Sequence, residues 1–199
     1  MCQLFETIKC KDSKFYNLEF HQERFDFTQR KCFKISDRIN LKDVLKVPEE
    51  KSEGLFRCRV TYSTKINKIE FLPHQIRKIN SLKLIEDNEI DYQFKYSNRE
   101  RLNSLFEKRG NCQDILIVKN GCISDSWTAN PVFFDGEIWW TSDTPLLPGT
   151  QRARLIAENK ILVCRITPKD LYKYQKVGLI NALQDLDDIP VIEIRNIQW

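Results

Sequence analysis

Lys95 stands between Phe94 and Tyr96, in a run whose other members are mostly apolar or aromatic. An amine partly withdrawn from water loses basicity, becomes a nucleophile and can move protons. A strand lysine that snorkels to solvent would carry the same local pattern. Asp125 follows the apolar run Ile115–Val118 and the turn Asn120-Gly121, and precedes Phe133. A carboxylate among core strands is costly unless a cation or hydrogen-bond donors meet it; the alternative is an ordinary surface turn. Pro148-Gly149-Thr150-Gln151 leads into a helical pattern. Gly149 allows close backbone approach, and the first amides of a helix point outward, which suits a phosphate. A Pro-Gly turn that only starts a helix is the plainer possibility. Taken together, these residues offer a nucleophilic amine, a carboxylate and an anion-binding helix start.

Other chemistries find little support. The chain has no GxGxxG, no GxxxxGK[ST] and no GxSxG, which removes dinucleotide, P-loop and nucleophile-elbow expectations. Its two histidines, His21 and His74, leave little for a triad or a zinc site, and no metal is expected. His21 reads as a packing or helix-surface residue. The seven cysteines are odd in number and form no CxxC, so free thiols and a cytoplasmic setting are expected. The formal charge is +4, with 41% hydrophobic and 30% charged residues over 199 positions. That balance suits a globular chain with a substantial core and argues against nucleic acid as partner. No signal peptide is seen, and no apolar run approaches the roughly 18 residues of a membrane span.

The elements that must position these groups follow from periodicity. Gln3–Cys10 reads as a strand, and Asn17 as the cap of a helix over Leu18–Phe33 whose apolar face is Leu18, Phe20, Phe25, Phe27 and Cys32. A short helix is expected over Asn40–Leu45. Strands are expected over Leu55–Tyr62, where Arg57, Arg59 and Thr61 alternate with Phe56, Cys58 and Val60, then over Lys68–Leu72 and Lys78–Ile85. The acidic turn Glu86–Glu89 marks a domain boundary, giving an N-terminal domain 1–88 and a C-terminal domain 89–199. Asn98 caps a helix over Arg99–Arg109, and Ile115–Val118 is a buried strand. Val132–Phe134 and Glu137–Trp140 flank the hairpin signal Asp135-Gly136. A helix over Thr150–Asn159, a strand over Ile161–Ile166, a helix start at Pro168 and strands over Leu179–Leu183 and Val191–Ile197 complete an α+β pattern rich in antiparallel pairs.

In order and wording the chain resembles the class IV aminotransferases, the fold type IV pyridoxal phosphate enzymes, which include branched-chain aminotransferase, D-amino acid aminotransferase and 4-amino-4-deoxychorismate lyase. The resemblance covers nearly the whole sequence: "LFETIK" (4–9), "LEFHQERF" (18–25), "KYSNRERL" (95–102), "NGCISDSWTANPVFF" (120–134), "TPLLPGTQRARLI" (144–156) and "INAL" (180–183). It implies a small N-terminal α/β sandwich and a C-terminal mixed α+β pseudo-barrel that binds pyridoxal 5'-phosphate. Lys95 would be the Schiff-base lysine and the catalytic residue. Asp125 would accept from the pyridine nitrogen and preserve the ring as an electron sink. Asn130 and Gly149 belong to the matching motifs. Arg57 (or its neighbour Arg59), Thr150, Gln151, Asn181 and Ala182 would hold the phosphate. A homodimer acting on a small amino substrate, with each site between the domains and near the partner chain, is also implied.

The sequence departs from the family pattern in places. The usual segment ahead of the first strand is missing, so the N-terminal domain is expected to be shortened at its start. Asp125 stands where glutamate is usual, Pro131 where an apolar residue is usual, and Gln151 where threonine is usual. The wording "DILIVKNG…DSWTANPVFFDG" favours the lyase of folate synthesis, which releases pyruvate and p-aminobenzoate. Transamination of branched-chain or D-amino acids is the alternative, and a catalytically degenerate binding protein is a further one. Arg77, Lys78 and Arg99 are candidates for the substrate's carboxylates. Trp127, Trp139 and Trp140 are expected to pack.

Overall fold

The computed structural model describes residues 2–199. These form two compact units: one ends at Gln75 and regains Phe94–Asn98, and the other comprises Ile76–Gln93 and Arg99–Trp199. The chain therefore divides elsewhere than at 88/89. Residues after Gln75 carry a strand of the second unit, and the Lys95 segment returns to the first.

In the first unit β1 (Leu4–Lys11) is followed by β2 (Lys14–Phe15), α1 (Leu18–Thr28), α2 (Leu41–Val44), β3 (Leu55–Tyr62) and β4 (Ile66–Pro73). The strands form an antiparallel sheet in the order β2-β1-β3-β4. Strand alternation sends Leu4, Ile8, Cys10, Cys58, Val60 and Tyr62 to one face, where they pack with Phe25 and Leu41. The aliphatic and phenylalanine side chains among them each contribute about 1.5–3 kcal/mol on burial. The helix continues past Thr28 as a π-turn over Gln29–Phe33. Asn17 adopts a left-handed conformation and makes no capping bond with its side chain.

The buried stripe of α1 differs from the expected apolar one. His21, Gln22, Phe25 and Thr28 face inward, while Phe27 is exposed. The cause is Glu6, which points from β1 into the same layer and is fully buried. His21 donates from Nδ1 to Glu6 Oε2 at 2.6 Å, and Arg24 donates from Nε and Nη2 to Oε1 and Oε2 at 2.9 and 2.5 Å. Burial alone would raise the Glu6 carboxyl, but the Arg24 charge and the bonds from His21 and Arg24 bring it down to about 2.

The second unit holds β5 (Leu82–Glu86), α3 (Glu100–Glu107), β6 (Asp114–Lys119), β7 (Cys122–Ile123), β8 (Asn130–Phe134), β9 (Trp139–Ser142), α4 (Thr150–Ala157), β10 (Leu162–Cys164), β11 (Lys176–Ile180), β12 (Val191–Glu193) and β13 (Ile197–Gln198). One sheet has the order β10-β9-β8-β11-β12 and the other β13-β5-β6-β7. A single core joins them, with Leu82, Leu84, Leu116 and Val118 from one sheet against Phe133, Val177, Leu179 and Ile192 from the other. This is the mixed α+β half-barrel that the resemblance implied.

Three pairings, β5–β6, β13–β5 and β9–β10, are parallel. The Asp135-Gly136 connection is a four-residue loop, because Phe134 pairs with Trp139 and Asp135 Oδ1 accepts from the Glu137 and Ile138 amides. The strand expected over Leu179–Leu183 starts earlier, at Lys176, and ends at Ile180. No helix of the described residues is long and apolar enough to cross a membrane.

The depressed Glu6 carboxyl makes a signed prediction. Its contribution is complete above about pH 4.5 and is lost as pH falls towards 2. Glu6→Gln should lower stability at neutral pH by about 3 kcal/mol and flatten the acid limb of a denaturation-versus-pH series.

Candidate active site

In the first unit the Lys95 segment extends the sheet beyond β1. Leu4 pairs with Tyr96, the Phe5 amide donates to the Lys95 carbonyl at 3.0 Å, and the Ser97 amide donates to Gln3 at 2.8 Å. Antiparallel pairing sets Lys95 across from Phe5, and Lys95 Nζ lies 4.9 Å from the Phe5 ring centre. Lys95 is partly buried. The Arg59 guanidinium sits over the same ring at 4.1 Å. Arg57 lies one strand repeat away, opposite Lys9, and its Nε is buried without a hydrogen-bond partner. Of the two arginines, Arg59 is the one that shares a neighbour with Lys95.

The Glu6 cluster lies close to this lysine. Burial pushes the His21 imidazole down and Glu6 opposes that shift, while the Arg24 and Lys95 charges reinforce it. The ring is therefore neutral, with its proton on the Nδ1 that faces Glu6. Arg24 closes the His-x-x-Arg of "LEFHQERF", one of the motifs that carry the resemblance, whereas Glu6 was not singled out from sequence although it falls in "LFETIK".

In the second unit Asp125 is 7% exposed. Its Oδ1 accepts from Asn130 Nδ2 at 3.0 Å and from the Leu146 amide at 3.1 Å, and its Oδ2 accepts from the Leu147 amide at 3.1 Å. Burial pushes the carboxyl up to about 7, against the pull of those three bonds and of the Arg152 charge. Three donors leave one acceptor position open on Oδ2. Asn130 spends its second N–H on the Leu147 carbonyl at 3.0 Å, so it ties the carboxylate to the loop before α4.

Gly149 has an ordinary φ of −69°. What requires glycine is space, since a Cβ there would meet Asn130 Oδ1 at 2.0 Å. Thr150 and Gln151 open α4 and are buried. Ile180 pairs with Asn130 across β11 and β8, which brings the Asn181-Ala182 turn to the same end of the sheet. Asn181 Oδ1 accepts from the Leu183 amide there, and its Nδ2 donates to Gln184 Oε1. Asp125, Asn130, Gly149, Thr150, Gln151, Asn181 and Ala182 thus gather within one unit.

Arg152 was missed from sequence. Its Nη2 donates to the Ser142 carbonyl at 2.8 Å, its Nε is buried without a partner, and its charge reaches Asp125.

Two of the proposed carboxylate ligands are already engaged. Arg77 donates to Asp114 and to the Gln113 carbonyl, and Arg99 donates to the Trp127 carbonyl and the Tyr92 hydroxyl. Both flank the stacked pair Phe106 and Trp127. Lys78 is exposed. Trp139 packs on Phe134, and Trp140 donates to Asp135. No group of three or more metal-ligating side chains occurs among the described residues.

The donor set fits pyridoxal phosphate. Within the second unit a buried acid poised near neutrality, with one acceptor position open, suits a pyridine N–H, and the unsatisfied Arg152 Nε–H suits a phosphate oxygen.

A family model described as Amino-transferase class IV matches residues 3–194. An uncharacterized protein of Haemophilus influenzae is 35% identical over 94% of this chain and all of its own length. The crystal structure of a candidate 4-amino-4-deoxychorismate lyase from Haemophilus somnus superposes with a TM-score of 0.87 at 32% identity, covering 94% of this chain and 98% of that one. A candidate amino-acid aminotransferase from Mesorhizobium loti superposes with a TM-score of 0.82 at 18% identity, covering 97% and 99%.

The raised carboxyl gives the opposite slope to Glu6. In the cofactor-free protein the Asp125 penalty is absent below about 3.8 and complete above about 7, so its share of stability falls by about 4 kcal/mol across that window. Melting temperatures recorded from pH 4 to 8 should decline less steeply in Asp125→Asn than in the wild type. Gly149→Ala, which displaces the Asn130 side chain, should cost about 1–3 kcal/mol in a urea titration.

Proposed function

The chain belongs to the Amino-transferase class IV family, a family of pyridoxal phosphate-dependent enzymes, and from that premise we propose that it is a 4-amino-4-deoxychorismate lyase. The observation that carries the choice of reaction is the 32% identity, over nearly the full length of both chains, to the candidate lyase. Lys95 is the proposed covalent anchor, held by its own carbonyl to β1 with its amine over Phe5. When bound, the cofactor supplies an electron-withdrawing ring. Asp125 is proposed to take the ring nitrogen at its open Oδ2 position, with Asn130 and the Leu146 and Leu147 amides fixing its orientation. Arg57, Thr150, Gln151, Asn181 and Ala182 are the proposed phosphate contacts.

Lys95 Nζ would remove the proton from the carbon that bears the substrate amine as the bond between the ring and the enolpyruvyl oxygen breaks, and would return a proton to the departing enolpyruvate, giving pyruvate and leaving p-aminobenzoate. One amine acting first as base and then as acid suffices for this. A homodimer in the cytoplasm, serving folate synthesis, completes the proposal. The aminotransferase alternative is favoured by the family description and by the fold shared with the M. loti protein; in it the same Lys95 Nζ would hold and move the substrate's proton, and the product would be a keto acid.

An absorbance scan decides first whether the cofactor is held. A band near the visible edge, removed by borohydride and missing in Lys95→Ala, is expected, while a protein that stays colourless with added cofactor would leave only a binding role. Product assays then separate the reactions: pyruvate and p-aminobenzoate from aminodeoxychorismate, against keto acid from branched-chain or D-amino acids. Lys95→Ala should lower the rate by roughly 10³-fold or more.

A further inference from the structure

The face of the first sheet opposite α1 carries a groove of about 400 Å³ lined by Gln3, Arg59, Thr61, Lys68, Glu70 and Leu72. We propose that this groove, centred on Arg59, takes a carboxylate of the amino substrate, an inference that rests on the enzymatic role of Lys95. Register brings these side chains to one face: Arg59 pairs with Thr7 and Glu70, and Thr61 with Phe5 and Lys68.

Glu70 lies across from Arg59, yet its carboxylate is claimed by Lys68 Nζ at 2.6 Å. Arg59 has no carboxylate within ion-pair distance among the described residues, and its contact is the Phe5 ring at 4.1 Å. Lys95 Nζ is over that same ring at 4.9 Å. The reactive amine and an uncompensated guanidinium thus flank one aromatic side chain. In every substrate considered a carboxylate lies a few bonds from the carbon that bears the amine. A guanidinium fork matches a carboxylate with two parallel hydrogen bonds, and Gln3 and Thr61 add neutral donors along the groove. Arg77 and Arg99 are spent elsewhere.

The test measures binding of succinate, with its neutral diamide as control, to the purified chain with and without pyridoxal phosphate. Succinate should bind and the diamide should not. Arg59→Gln should weaken succinate about tenfold or more and raise the substrate KM, while the cofactor absorbance band stays unchanged. Arg59→Lys should recover part of the affinity, and Leu72→Glu, which adds a negative charge to the exposed groove, should abolish it. Wild-type affinity in Arg59→Gln or in Leu72→Glu overturns the proposal. So does loss of the cofactor band in Arg59→Gln, which would make Arg59 a cofactor ligand. A wild-type protein without the band would instead sink the enzymatic reading, and the succinate measurements on the cofactor-free chain would still decide the groove.

Discussion

A carboxylate taken out of water must be met by donors, and the second unit is organised around how Asp125 is met. Its three hydrogen bonds come from one side chain on β8 and two backbone amides in the loop before α4. Asn130 bonds the acid and the Leu147 carbonyl together, so the loop cannot drift without breaking a buried pair. The glycine at 149 is the steric counterpart of that bond, since any side chain would displace the Asn130 amide. The start of α4, the end of β11 and the acid are thereby fixed relative to one another by a few directed contacts. Position matters here because catalytic geometry tolerates errors of only about 0.5 Å.

The two units solve the same problem with opposite electrostatic outcomes. Glu6 is equally removed from solvent, but a bidentate arginine and a histidine N–H overcompensate burial and hold it ionised. Asp125 is given neutral donors, and the nearby cation Arg152 is itself partly buried and turned to the Ser142 carbonyl. Full compensation produces a fixed structural anion, as suits a residue that braces α1 against β1. Partial compensation leaves an acid able to respond to a partner that brings a positive charge.

Legibility followed the same division. The alternation in Leu55–Tyr62 was readable because period-two patterning has one dominant physical cause, whereas the need for glycine at 149 was readable but its cause, room for the Asn130 side chain, was not. The motifs around Lys95, Asp125 and Thr150 identified the family, which the matched family model bears out. The buried face of α1 was not readable: Phe27 scores as core by type, while His21 and Gln22 are inside because Glu6 on a distant strand needs donors. Arg152 was obscured for a related reason. A cation's role depends on which acid lies opposite it, and sequence spacing does not record that across elements. The late strand's bounds moved, to Lys176–Ile180, because a short apolar run such as Leu179-Ile180 fixes neither end.

The substitution of aspartate for the family's usual glutamate acquires a structural account at this point. A side chain one methylene shorter reaches less far, so the acid must be brought forward or supported from behind. Here the support is backbone: Leu146 and Leu147 turn their amides onto the carboxylate, and the Pro148-Gly149 step that follows lets the chain pass close to Asn130 before α4 begins. Backbone amides cannot relax away as a long side chain can, so the shorter acid is held with less freedom than a glutamate would have. The loop thus carries the shorter acid through its amides, while the missing side chain at 149 leaves room for the Asn130 amide that ties acid and loop together.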